Sequence, residues 1–379
     1  MRIVTTSDAA TIQDDLQLSE EDLAAAEKAF NAKLGWKKTL GLILLLVAAF
    51  CISFMMGRYS FSVPDILAAI PDHFQYLYNI YIVGLSENAA TLLLNDVNMD
   101  TALFNIRFPR IIMVLLVGAA LSAAGASYQG MFKNPLVSPD LLGASTGASF
   151  GACLALLLNL SNIYIQLFAF VGGLTAVGLV MLLNKAIRSD ALLGLVLGGI
   201  LVSSLFQSGS SIIKLVADAD DKLPSITFWL MGSFAGITIS DLLLALLPMA
   251  IGFVLILSQR WKLNVLSFGE EEAKSLGINT ASTRFIVILG ATLITSCSVS
   301  VAGVIGWIGL VVPHLARAVV GPNYKGLIPA TMLIGSVFLL VVDNFCRLLF
   351  AAEIPIGLLT SILGIPFFVF IYAKNMKGW

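Results

Sequence analysis

"GWIGLVVPHLARAVVG", residues 306–321, is apolar enough to sit in lipid, yet it carries Pro313, His314 and Arg317 within five positions. A catalytic histidine needs a nucleophile or carboxylate in reach, and a metal needs several ligands; the stretch supplies neither. Pro313 removes a backbone donor and restricts the residue before it, which suits a bend in a helix. Pro313 and His314 therefore read as structural, with His314 and Arg317 lying toward the headgroups at the end of a membrane span.

The rest of the chain agrees with that setting. Of its 379 residues 58% are hydrophobic and 12% charged, and the mean hydropathy is +0.93. These values lie outside the range of soluble globular chains and predict an all-α polytopic membrane protein. A formal net charge of -1 gives no global attraction to nucleic acid, so useful electrostatics must be local. Cys51, Cys153, Cys297 and Cys346 each fall in an apolar segment without CxxC spacing, and read as small buried residues. No set of acids, bases or ligands converges in the spans, so no catalytic residue, metal site or cofactor is assigned.

A helix needs about 20 apolar residues to cross the hydrocarbon. That ruler gives about ten transmembrane helices, near 39–57, 107–130, 141–158, 163–183, 191–213, 238–258, 284–302, 303–320, 326–350 and 356–373. With the N-terminus inside, sixteen of the 22 Lys and Arg residues fall on the cytoplasmic side, the bias that fixes orientation. Both termini are then expected to be cytoplasmic. Residues 1–38 form an acidic leader without a signal-peptide pattern, and 39–379 the transmembrane domain. Within the leader, "SEEDLAAAEKAF" has a capping-box start at Ser19 and reads as a short solvated helix. Residues 58–106 form a long external segment read as a folded loop, with His73 an exposed loop histidine.

Charge in a span costs roughly 2.5 to 3.5 kcal/mol on insertion scales, so it persists at interfaces, in cavities or with partners. "RFPR" places Arg107 and Arg110 at the outer start of the second span, three apart on one face. Asp343, Arg347 and Glu353 gather at the outer end of the ninth span and the turn after it. Snorkelling or a local ion pair would account for each alone, and together they suggest a charged external rim. On the inner side, 260–284 is the longest cytoplasmic connection; "EEEAKSLGI" pairs Glu270 with Lys274 and ends at a capping Gly277. It reads as a solvated connector or as a helix that docks into a partner's groove.

The chain resembles the FecCD-type permease subunits of ABC importers, which take up iron-siderophore complexes, haem and cobalamin. The resemblance runs through "RFPRIIMVLLVGAALSAAGASYQGMFKNPLVSPDLLGASTGA" (107–148), "FWLMGSFAG" (228–236), "LSFGEEEAKSLGINTASTR" (266–284), 301–348 and "EIPIGLLTSILGIPFFVFIY" (353–372). It implies that ten-helix fold, paired with a second permease subunit (a second copy or a paralogue), two cytoplasmic ATP-binding subunits and an extracytoplasmic substrate-binding protein. It implies docking of the binding protein on Arg107, Arg110 and Arg347, and ATPase coupling through Glu271, Ala273, Leu276, Gly277 and Asn279. Pro135, Pro313 and His314 are similar to the family's structural positions, and Ser189 stands for an inner gate. The leader has no counterpart in the family's core pattern, and 58–106 looks longer than the usual connection.

No GxxxxGK[ST] occurs in the chain, so ATP hydrolysis is expected from a partner and not from this subunit. The mechanism expected is ATP-driven alternating access, with a ferric siderophore as cargo; haem or cobalamin is the alternative. An ion-coupled secondary transporter, the more distant reading, would keep a carboxylate or histidine relay at mid-membrane, and none lies there in these spans.

Overall fold

The computed structural model describes residues 35–57, 61–187, 191–350 and 352–375. The leader, apart from residues 35–38, and Ser189 lie outside the described residues. Each of the ten expected spans has its helix: α1 (Trp36–Met55), α5 (Phe108–Phe132), α6 (Ala144–Leu157), α7 (Asn162–Ile187), α8 (Ala191–Val216), α10 (Ile239–Ser258), α13 (Thr280–Ala302), α14 (Ile308–Val320), α15 (Tyr324–Leu348) and α16 (Ile356–Asn375). Seven stretches among the described residues are long and apolar enough to cross a membrane, while α6, α14 and α16 supply shorter apolar runs, and a short helix α9 (Lys222–Leu230) lies between α8 and α10. The chain is an all-helical integral membrane protein.

Helix α5 is the axis of the bundle, buried along nearly its whole length and packed against α13, α14 and α15. With no hydrophobic drive between helices in lipid, small residues let backbones meet. A Cβ on Gly118 would strike the Gly335 carbonyl of α15, and one on Gly125 the Gly309 carbonyl of α14. The glycine-rich runs of the sequence are thus helix crossings.

Four expectations are corrected. The eighth span begins at Ile308, not at 303. Residues 303–307 are irregular because Gly303 takes a φ of 68° and Trp307 one of 69°. Ser233 N–H donates to the Ala302 carbonyl at 2.8 Å, and Ile356 N–H to the Gly232 carbonyl at 2.9 Å. Three non-helical segments thereby satisfy one another inside the bundle, the condition for irregular backbone at membrane depth.

The external segment is not a loop but carries α2 (Val63–Tyr81), α3 (Glu87–Thr91), α4 (Val97–Asp100) and a π-helical turn Thr101–Arg107 that runs into α5. Ser62 and Asp65 form the capping box that starts α2. His73 is no exposed loop histidine: its Nδ1 lies 2.8 Å from an Asp100 carboxylate oxygen, and its ring stacks on Phe104. The fourth correction is Cys51, exposed on the outer flank of α1 while the other three cysteines are buried.

Pro313 lies inside α14. It cannot donate to the carbonyl four residues back, Gly309, and the Gln129 side-chain amide donates there at 3.4 Å and to Val137 at 3.3 Å. Pro135 sits in the turn after α5, where the Val137 N–H returns to the Asn134 carbonyl at 3.3 Å. Among the described residues no group of three His, Cys, Asp or Glu side chains is placed to hold a metal.

Candidate functional site

Two clusters stand at opposite ends of α15. The outer one joins the last turn of α1, the start of α5, the last turns of α15 and the turn before α16. Arg110 is its centre. Its Nε and Nη2 reach Asp343 at 3.2 and 2.8 Å, while Nη1 reaches both oxygens of Glu353 at 3.0 and 2.9 Å. Asp343 is fully buried, and an unpaired carboxylate there would be far too costly. Arg347 stands one turn along α15, with Nε 3.1 Å from the other Asp343 oxygen but off the hydrogen-bonding line. Its Nη2 donates to Ser53 at 2.8 Å and to Asn344.

Arg107 turns the other way. Its Nη1 donates to the Phe54 carbonyl at 2.9 Å, and its guanidinium lies 4.8 Å over the Phe61 ring. The chain leaving α1 passes so close that a Cβ on Gly57 would overlap this guanidinium. Arg107, Arg110 and Arg347 thus come together as the sequence suggests, but all three are buried, as parts of an ion-pair and carbonyl network. Local pairing is what the geometry adds to the expected rim.

The inner cluster is an elbow of two short helices, α11 (Arg260–Phe268) and α12 (Glu270–Ser275), joined at Gly269 with φ of 156°. Ile278 N–H returns to the Ala273 carbonyl at 3.0 Å and Gly277 N–H to that of Lys274 at 2.9 Å. This is a Schellman closure, with Gly277 at the left-handed position, φ +78°. Glu270 bonds Arg284 Nη2 at 2.5 Å, accepts from Thr280 at 3.2 Å and lies 3.5 Å from Lys274. The Arg284 guanidinium holds the Glu270 carboxyl below its ordinary range, so α12 is pinned to α13 by charge. α11 is pinned to α15 by Asn264, which accepts from the Tyr324 N–H at 2.8 Å and donates to the Asn323 side chain at 2.9 Å.

Of the five expected coupling residues, Glu271, Leu276, Gly277 and Asn279 are exposed, while Ala273 is fully buried and seats α12 in the core. Asn279 also caps α13 through the Ser282 N–H at 2.9 Å. Sequence reasoning missed Phe268, an exposed aromatic at the point of the elbow, and Asn264, which ties the elbow to α15. Phe268 stands next to Gly269, and that pairing was a readable signal; the partners of Asn264 lie 59 and 60 residues away.

The FecCD transport family model matches residues 45–374. The molybdate import system permease protein of Haemophilus influenzae is 40% identical over 90% of this chain and 97% of its own length. The hemin transport system permease protein of Yersinia pestis is 36% identical over 72% of this chain and 83% of its own. A solved metal-chelate type ABC transporter in an inward-facing conformation superposes with a TM-score of 0.77, at 38% identity over 89% of this chain and 99% of that one. ATP hydrolysis in such transporters belongs to separate subunits, and this chain is not itself an enzyme. With the match reaching from α1 to α16, the chain belongs to the FecCD transport family, as a membrane-spanning permease subunit of an ABC importer.

Proposed function

We propose that this permease moves a metal-containing complex inward by ATP-driven alternating access. It would pair with a second permease subunit, receive cargo from an extracytoplasmic binding protein at the outer cluster, and be driven by two ATP-binding subunits seated on the α11–α12 elbow. The observation that carries this reading is α15. This helix of 25 residues holds Asp343 and Arg347 in the outer cluster at one end, and at the other the N-terminal turn to which Asn264 ties the elbow. A continuous helix of that length, about 37 Å at 1.5 Å per residue, links the two docking faces. The basic bias supports an orientation with the elbow and both termini in the cytoplasm, and this reading sets the subunit in the cytoplasmic (inner) membrane.

Arg107, Arg110 and Arg347 serve docking from within the network. Glu353 is the most accessible acid of the cluster, with 28% of its side chain exposed. An acidic side chain of the binding protein would displace it from Arg110 Nη1. The exposed Glu271, Leu276, Gly277 and Asn279 meet the ATPase, with Phe268 beside them.

A ferric chelate is the cargo favoured here, as the commonest cargo of the family pattern. The 40% identity to a molybdate permease over nearly its whole length favours a metal oxyanion as the second reading. Uptake into proteoliposomes holding the assembled importer separates them. Radiolabelled ferric siderophore, molybdate, haem and cobalamin are offered in turn with ATP inside. ATP-dependent accumulation of the iron complex supports the first reading; accumulation of molybdate alone replaces it with the second. No accumulation of any of them, with ATPase and binding protein both assembled, contradicts the proposal.

A further inference from the structure

Helix α2 is built inside out for a helix standing in water. Asp65 and Gln75 are exposed away from its apolar stripe, but Asp72 accepts from Asn95 at 2.7 Å, His73 is held by Asp100, and Asn79 is buried. Its outward stripe is apolar and recurs at helical spacing through Val63, Leu67, Ile70, Phe74, Tyr78 and Tyr81. These side chains are left uncovered, Leu67 at 62%, Phe74 at 66% and Tyr81 at 78% exposure. A contiguous apolar stripe on a surface helix marks contact with something apolar.

The level of the helix in the molecule says what that is. His73, at the middle of α2, stacks on Phe104 with ring centroids 4.0 Å apart. Phe104 in turn packs edge-on to Phe54, at 6.4 Å, in the last turn of α1. The midpoint of α2 is therefore about two aromatic rings from the place where the first span ends, within the headgroup zone that flanks the hydrocarbon. The flank of α1 likewise leaves Leu44, Ile52 and Met55 exposed. Tyr78 and Tyr81 have the amphipathic rings that favour this depth. No Lys or Arg lies in α2, so it has no means of gripping anionic lipid, and its hold would come from apolar burial and from the contacts of His73 with Asp100 and Phe104.

We propose that α2 is an interfacial helix, seated by its Leu67–Phe74–Tyr78 stripe in the lipid leaflet at the outer-cluster end of the bundle. It would anchor the polypeptide that leads into Arg107, and so hold the outer cluster at a fixed height above the membrane. The His73–Asp100 contact is the latch that keeps the stripe turned outward.

The test uses the assembled importer in nanodiscs, with Cys51→Ala removing the exposed native thiol. Phe74→Cys, Tyr78→Cys and, as a solvent-facing control, Glu87→Cys carry an environment-sensitive fluorophore. The proposal predicts blue-shifted emission at 74 and 78, quenching there by lipids spin-labelled near the headgroup, and loss of quenching by aqueous iodide. Position 87 should show the opposite pattern. Iodide quenching at 74 and 78 equal to that at 87, without lipid quenching, overturns the proposal. So does shielding from both quenchers accompanied by a 74–74 disulfide between two copies of the unlabelled Phe74→Cys chain, or shielding that appears only when the binding protein is added. Hydroxyl-radical footprinting of the unmodified chain guards against a label that drives its own insertion: Phe74, Tyr78 and Tyr81 should be protected in nanodiscs, and ready oxidation of all three refutes the seat.

Discussion

At Arg110 a buried guanidinium meets two carboxylates, one of them wholly buried, so removing the cation strands Asp343. Breaking such a pair from one side costs about 3–5 kcal/mol. Arg110→Ala should lower the melting temperature in detergent accordingly, whereas Arg110→Met combined with Asp343→Leu should lose less than the two single variants summed. Equal losses would mean that water reaches the cluster. Glu353→Gln tests a different property of the same site. It frees Arg110 Nη1 without breaking the buried pair, and should tighten binding-protein affinity measured on the assembled importer; unchanged affinity removes Arg110 from docking. Glu270 behaves differently, because Arg284 depresses its carboxyl below the ordinary value of 4.5. The stability it contributes is present above that pH and is lost as the pH falls through the depressed folded value. Acid should therefore loosen α12, read by proteolysis at the elbow, and Glu270→Gln should loosen it at neutral pH and abolish this part of the acid dependence.

At the scale of elements, the spans were legible and the joints between them were not. Apolar length alone located ten helices, because lipid demands that each crossing close its own backbone hydrogen bonds. The start of α14 was misplaced because Gly303 and Trp307 are apolar or neutral and look like span, although their positive φ ends the helix. Helix α2 was hidden for the opposite reason: its Asp72 and His73 pair with Asn95 and Asp100 far along the chain, so its pattern matches neither a span nor a soluble helix. The Schellman closure at Gly277 was readable from the glycine itself. Gly277→Val forces a branched side chain into φ +78° and should cost about 1–2 kcal/mol locally, uncoupling ATP hydrolysis from uptake while the importer still assembles. Loss of assembly instead would make the elbow a scaffold and not a transmission element. Gln129→Leu leaves the Gly309 and Val137 carbonyls short of a donor, and should cost about 1–3 kcal/mol in thermal stability.

At the scale of the whole molecule, the two clusters lie at opposite ends of one bundle, and charge bias assigned their residues to the same two sides that the contacts now join. Lys38 donates to the Val319 carbonyl at 2.6 Å, and Arg260 to that of Lys325 at 3.3 Å, all four on the side read as cytoplasmic. Arg107, Arg110, Arg347 and Glu353 meet on the other. What the sequence did not disclose is how the ends communicate, since the partners of Asn264 and Asp343 are brought to them only by folding. The most direct measurement is ATP hydrolysis by the reconstituted importer, with and without cargo-loaded binding protein, for the natural chain and for Asn264→Ala. The account predicts that both complexes assemble and dock the binding protein, and that stimulation by the binding protein is lost in Asn264→Ala. Undiminished stimulation in that variant would contradict transmission through α15.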